Sequence, residues 1–471
     1  MTSTHHFLTG NFAPVRSEQD FTELRVIGTL PEALVGTLYR VGPNPQFDPR
    51  DQFYHWFAGD GMVHAFYFGS GKVAYKNRWM RTPKWQLENK AGKALFGTFG
   101  NPATSDPAVV GRSTGTANTN IVSHAGRLFA LEESHQPFEF DPLTLESKGY
   151  QSFDGAILSR FTAHPKPDPE TGELHFFAYS ASGPGTTEMH YGTLDRGCRV
   201  ARMESFHAPY ASMVHDFIAT TGHVLFPITP LTSSMDRAML GKPLFAWETD
   251  RIVHLGVLQK GADISAMCWL DMDACHVFHF MNAWETNGKI TVYAMEAEMA
   301  PGMPYADGRP GEPGKSAARL ARWTIDLNGP PPGKIERAVV DDVPAEFPRI
   351  DERYAGRYNR YGWYVCHADG KPRNDAENAL YATLTCHDFT TGCKQRYSLP
   401  EGDVLSEPVF APRHETANEG DGWIVMTAWR NAEQRSDLLV FHATDITAGP
   451  IAVVQLPCRV PFGFHGAWIA A

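Results

Sequence analysis

The sequence predicts an all-β protein, organised as a blade-built β-propeller, and three observations carry that prediction. Short apolar runs such as "RLFALEE", "ELHFFAYS", "KITVYAME", "GWIVMTAW" and "DLLVFHAT" recur along the chain, each bounded by Gly, Pro, Asn or Asp. A strand end followed by Asp and a Thr or Gly turn returns in "FEFDPLTLES", "TCHDFTTGCK" and "FHATDITAGP", and more loosely in "TLDRGCR"; each reads as a hairpin between two outer strands. Helical stretches are few: 83–97 ("PKWQLENKAGKALFG") is the best and 233–241 ("SSMDRAMLG") is weaker.

Each part of the chain fits one such array. A length of 471 residues allows two or three domains or one large architecture. The Pro/Gly-rich stretches 300–316 and 328–333 read as loops within the array, which leaves a single domain over 1–471. The hairpin period is irregular, so neither a WD40 nor a kelch signature is present.

Composition narrows the function classes. A net charge of −11 with no basic run excludes a phosphate-tracking surface, so nucleic acid is not an expected partner. Seven cysteines without a Cys-x-x-Cys pair point to free thiols in a reducing compartment. The start "MTSTHHFLTGNFAPV" has no basic segment leading into an apolar one, and nowhere do about 18 apolar residues run together. A cytoplasmic protein without stable membrane insertion is expected. Residues 225–247 are apolar but interrupted by Asp236, Arg237 and Lys242.

Nucleotide chemistry lacks its loops. "GSGK" (69–72) does not have the Walker spacing, and no Gly-x-Gly-x-x-Gly opens a helix.

Histidine pattern gives the positive signal. His164 in "TAHPKPDPETGELHFF", His215 in "MVHDFIATTGHVLFP" and His279 in "VFHFMNAWETNGKITVY" share one context. Each is followed by a turn pair (Thr171–Gly172, Thr221–Gly222, Asn287–Gly288) and then by another strand. Equivalent positions in successive blades converge on the propeller axis, so three such imidazoles can meet at one metal. Neutral imidazole suits Fe, Cu, Zn or Ni, and these strands offer no thiolate. The competing account is three buried histidines, each satisfied by a backbone group. Strict alternation over 275–288 would place Val277, His279 and Met281 on one face and His276, Phe278 and Phe280 on the other, with His276 as packing.

At these residues the sequence resembles the carotenoid cleavage oxygenases, non-haem iron enzymes that split conjugated carbon–carbon double bonds with dioxygen. The resemblance runs from "LVGTLYRVGPNP" (34–45) and "FAGDGMVHAFYF" to "GFHGAWIA" (463–470), nearly the whole chain. It implies a seven-bladed β-propeller with a cap of helices and loops that form an apolar tunnel. It also implies one Fe(II) per chain, held by His164, His215, His279 and a fourth histidine, His465, which the hairpin pattern does not reveal. Three glutamates in the family accept hydrogen bonds from ligand imidazoles. Here Glu133, Glu346 and Glu407 would serve His215, His279 and His465 respectively. The alkene supplies the electrons, so both atoms of dioxygen enter the two carbonyl products without an external reductant.

Several stretches ("GTANTNIVSHAGRLFALEE", "NRYGW", "RSDLLVFHATDITAGP") look most like the branch of lignostilbene dioxygenases and isoeugenol-cleaving enzymes. That branch holds the substrate phenol with a Tyr and a Lys, and at those positions this chain has Phe99 and Glu132. The resemblance therefore implies either another aryl alkene, bound by stacking and a hydrogen bond to carboxylate, or an apocarotenoid in apolar walls. Trp56, Phe57, Phe99, Met303 and Tyr305 are the expected wall residues. The expected partners are a small hydrophobic alkene and dioxygen, with room for a homodimer. Competing classes are a non-catalytic binding propeller, and isomerase or hydrolase chemistry on a polyene ester.

Overall fold

A computed structural model describes residues 5–51, 54–97, 102–158, 160–328, 334–367 and 381–471. These are mostly β, and the strand pairs are antiparallel. The chain divides into two compact units, Met1–Phe161 with Leu380–Asp388 and Gly392–Ala471, and Thr162–Ala379 with Phe389–Thr391.

In the first unit, strands Gly36–Pro43, Gly61–Gly69 and Lys72–Trp79 form a meander. The C-terminal strand Gly466–Ala470 joins it beside Gly36–Pro43, pairing Arg40 with Gly466 and Gly36 with Ala470. This pairing fixes the backbone immediately after His465. A second sheet runs Asn120–His124, Arg127–Leu131, Phe138–Phe140 and Ser147–Tyr150. A third is built on Gly422–Arg430 and Arg435–His442. Leu38, Phe66, Trp423, Leu438 and Val440 are buried together between sheets, the removal of apolar area from water that holds such layers.

In the second unit, three four-stranded sheets open with Lys166–Pro167, Ile218–Ala219 and His276–Thr286. The second and third of these sheets share a core that includes Ile218, Leu255, Val277, Phe280, Val292 and Trp323. Each expected ligand lies on or just before the first strand of its sheet, so the recurring context seen in sequence is a recurring place in the fold. Asn287 and Gly288 have φ of 53° and 70°, the left-handed pair that a tight hairpin turn requires.

Three of the four Asp-turn hairpins of the sequence pair as outer strands, for example Glu188–Leu194 with Val200–His207 and Tyr381–Asp388 with Cys393–Ser398. The hairpin of Arg435–His442 and Ala452–Gln455 instead lies inside its sheet, because Arg25–Gly28 adds a strand beyond it. Helices are shorter than expected. α1 spans Pro83–Ala91 and stops where Gly92 takes φ 66°, and the buried Glu88 carboxylate then accepts the Leu95 and Phe96 N–H groups at 2.8 and 3.0 Å. α2 is only Met235–Met239, capped by the Ser234 hydroxyl. Cys268, Cys275 and Cys458 are in no disulfide. Among the described residues no helix is long and apolar enough to cross a membrane.

Simple alternation over 275–288 does not hold. The register against Lys289–Ala297 shifts between Val277 and Phe280 and again between Phe280 and Asn282. Val277 and Phe280 therefore share one core, while Met281 lies in another with Tyr293 and Met295. One bulge spans Phe278 and His279 and a second falls at Met281, and they rotate the strand as bulges beside functional sites do.

Candidate metal centre

His164 precedes the strand Lys166–Pro167, and its N–H donates to Thr162 Oγ1 at 2.9 Å. His215 precedes Ile218–Ala219, and His279 sits in the bulge of His276–Thr286. Their side chains converge: Nε2 of His164 and Nε2 of His215 are 2.9 Å apart, and Nε2 of His215 and Nε2 of His279 are 3.3 Å apart. Ligand atoms of all three fall within 4.8 Å of one another. Imidazole–metal bonds of about 2.1 Å at roughly right angles put neighbouring donors about 3 Å apart, so these spacings match the edges of a coordination shell.

Protonation follows from the partner of His279. Its Nδ1 donates to Glu346 Oε2 at 2.6 Å, because an ionised carboxylate can only accept. Nδ1 then carries the proton, and Nε2 presents its lone pair to the shared point. The same Glu346 oxygen accepts the Phe347 N–H at 2.7 Å. Phe347 is held at φ 53°, a left-handed value costly for a bulky residue, and its ring stacks on His279 at 5.7 Å between centroids.

In the first unit, His465 repeats this plan. Its Nδ1 donates to Glu407 Oε1 at 2.8 Å, Glu407 Oε2 accepts the Gly466 N–H at 2.8 Å, and both side chains are buried. The His465 N–H donates to the Thr119 carbonyl, and its own carbonyl accepts from Val41. Phe464, next in chain, contacts the rings of Trp56 and Phe57 at 4.4 and 5.5 Å. These two expected wall residues thus share an aromatic cluster with the neighbour of His465.

Glu133 is half-buried after the strand Arg127–Leu131. Glu132 beside it is buried. Its Oε1 accepts from Thr116 N at 2.9 Å and Tyr150 Oη at 3.2 Å and pairs with His135 Nδ1 at 3.2 Å, and Oε2 accepts from Thr116 Oγ1 at 2.9 Å. Burial alone would raise the Glu132 carboxyl, yet the His135 charge and the Thr116 bonds hold it below its ordinary range; Glu132 in turn raises His135 despite burial. Phe99 lies outside the described residues.

In the second unit, Met303 and Tyr305 are buried. Tyr305 bridges Trp247 and donates its hydroxyl to Glu312 Oε1 at 2.6 Å. The Trp247 ring lies 6.3 Å from His276, His276 lies 4.5 Å from Phe278, and Phe278 lies 5.2 Å from His215. His276 is buried, with Nδ1 bonded to Thr229 Oγ1 at 3.1 Å. Burial, helped by the nearby His215 and His279, pushes its pKa down to about 3, so it is a neutral ring.

Sequence reasoning missed Asp216, the residue after His215. It is 2% exposed; Oδ2 accepts the Phe280 N–H at 2.9 Å, and Oδ1 accepts the Phe217 N–H at 2.8 Å and meets Lys166 Nζ at 2.7 Å. The available signal was spacing: Lys166 stands two residues after His164, and Phe280 one after His279.

The donor chemistry fits a divalent transition metal. Neutral imidazoles with Nδ1 committed to carboxylates leave Nε2 lone pairs inward, a set that suits iron and its neighbours.

Comparison with known proteins agrees with this site. The model of the family described as retinal pigment epithelial membrane protein matches residues 12–470. Over 467 residues the chain is 39% identical to an isoeugenol monooxygenase of Pseudomonas nitroreducens, covering 98% of this chain and 97% of that one. A crystal structure of a Pseudomonas brassicacearum lignostilbene dioxygenase matches with a TM-score of 0.94 and 34% identity over 99% of each chain. That of a cobalt-substituted Synechocystis apocarotenoid oxygenase matches with a TM-score of 0.85 and 27% identity over 97% of each. The fold is the seven-bladed β-propeller that the sequence implies. By matched length, identity and fold together, the chain belongs to the carotenoid cleavage oxygenase family, alongside lignostilbene- and isoeugenol-cleaving relatives.

Proposed function

We propose that this chain is a cytoplasmic non-haem Fe(II) dioxygenase, acting as one catalytic domain over 1–471. It cleaves the conjugated double bond of an aryl alkene into two carbonyl products. The observation that carries the reading is the convergence of the His164, His215 and His279 Nε2 atoms, with the His279 tautomer set by Glu346. One iron per chain is held by these three and by His465, whose Nδ1–Glu407 pair supports the same tautomer. Glu133 is assigned to His215.

Fe(II), when bound, supplies the one-electron chemistry that lets dioxygen react with a closed-shell alkene. The reaction balances without a reductant: R–CH=CH–R′ and O2 give RCHO and R′CHO. The protein's own residues bind and orient. Trp56 and Phe57, in the aromatic cluster beside His465, are assigned to an apolar wall for the arene, and Met303 and Tyr305, buried in the second unit, to another. Glu132, ionised, retains acceptor capacity on Oε2, so it takes a hydrogen bond from a neutral phenol or alcohol O–H and disfavours a phenolate.

The test is metal analysis of protein reconstituted with Fe(II), followed by a screen of isoeugenol, 4-hydroxystilbene and an apocarotenal with aldehyde detection. Iron near one per chain and aldehydes from an aryl alkene are expected. Cleavage of the apocarotenal alone would move the substrate to the apocarotenoid class. Protein that retains no iron would be a non-catalytic propeller.

A further inference from the structure

Glu133, Glu346 and Glu407 are assigned to His215, His279 and His465, and the segment that carries His164 brings a charged side chain of its own, Lys166, to the buried Asp216. The Nε2 atoms of His164 and His215 lie 2.9 Å apart, against 3.3 Å for His215 and His279. Something must hold the His164 segment at that spacing, because imidazole side chains transmit any shift of their backbone to the donor atom.

We propose that Asp216 is a positioning residue for the metal site, tying the three ligand segments of the second unit to one buried carboxylate. It does so with three groups, each one or two residues from a ligand. Asp216 itself follows His215. Its Oδ2 accepts the N–H of Phe280, which follows His279, at 2.9 Å. Its Oδ1 meets Lys166 Nζ, two residues beyond His164, at 2.7 Å.

The chemistry suits a fixed spacer better than a charge donor. Asp216 is 2% exposed and Lys166 is largely covered, so the pair is desolvated and shielded from salt. Lys166 cancels the carboxylate charge, so the pair adds little net field to a site whose imidazoles are neutral. What it fixes is distance. The bulge that aims His279 leaves Phe280 as the first residue back in ladder register, and that N–H is the one Asp216 takes. The ion pair holds the His164 segment to the same carboxylate.

This inference rests on the metal reading above, and its test separates the two. Wild-type protein is loaded with Co(II), whose visible absorption reports ligand geometry, and its affinity is measured by chelator competition. The double variant Asp216→Asn/Lys166→Met is compared, because it removes both charges, keeps a carbonyl to accept the Phe280 N–H, and leaves no buried unpaired ion. Lys260→Met, which breaks the Lys260–Asp168 pair of 2.9 Å elsewhere in the same unit, serves as the control for loss of stability.

Partners of metal ligands are typically worth about 10- to 100-fold in metal affinity. The double variant should therefore show shifted Co(II) bands and about 10-fold weaker Co(II) binding, while Lys260→Met keeps the wild-type spectrum and affinity. Wild-type bands and affinity in the double variant would overturn the role of Asp216. The same change in Lys260→Met would overturn it too, since any loss of stability would then suffice. Absence of Co(II) binding by the wild type would instead overturn the metal reading itself.

Discussion

Glu346 Oε2 accepts a hydrogen bond from His279 Nδ1 at 2.6 Å, and this single contact sets which nitrogen of His279 faces the other imidazoles. The carboxylate is oriented by the Phe347 N–H and by a backbone kink at Phe347 that a bulky residue adopts only under constraint. Glu346→Gln keeps an oxygen able to accept from Nδ1 but removes the charge. Chelator competition should show metal affinity reduced by about 10- to 100-fold, with the fold retained by circular dichroism.

His276 and His279, three residues apart, answer differently to substitution. His279→Ala should abolish metal binding. His276→Leu should keep it, because the neutral His276 ring packs behind Phe278. The pH dependence carries the sign. Folded His276 titrates near 3 against an ordinary 6.5, so the unfolded chain binds the proton more readily, and stability falls as pH drops from about 6.5 towards 3. His276→Leu removes that loss. Its thermal midpoint should fall less than the wild type's between pH 7 and pH 4.

The Glu132–His135 pair predicts the opposite trend at the alkaline side. His135 is raised above its ordinary 6.5, so its contribution is complete below that value and is lost as pH rises through the folded pKa. Glu132 is lowered, so its contribution is present above the ordinary carboxyl range and is lost as pH falls through it. The difference in thermal midpoint between wild type and His135→Phe should be greatest near pH 6 and shrink both above and below.

Much of this was legible in the sequence because repetition was: three histidines in one local context predicted three equivalent places, and three of the four Asp-turn hairpins predicted outer strands, the fourth being covered by Arg25–Gly28. His465 lay outside that pattern, since it precedes a terminal strand that joins the first sheet rather than a hairpin. The facing of 275–288 was misread for a local reason. Alternation assumes unbroken register, and two bulges shift it at the ligand, so Phe278 meets His215 while Phe280 joins the core with Val277. The end of α1 was overrun because the apolar pattern continues to Phe96, whereas Glu88 captures the next N–H groups after Gly92. Asp216 was invisible because its partners lie 50 and 64 residues away, although they flank the ligands.

The hairpin turn behind His279 has a stability consequence. Gly288 has φ +70°, and a Cβ there would lie 2.3 Å from the Asn328 side chain. Gly288→Ala should cost about 1–3 kcal/mol, read by denaturant unfolding, with metal content unchanged.

The central claim is that both atoms of dioxygen enter the products. The most direct measurement is turnover of isoeugenol under oxygen-18 gas, with the carbonyl products trapped by reduction before they exchange with water. The account predicts one labelled oxygen in each of the two products, whereas label in only one product, or in neither, would contradict it.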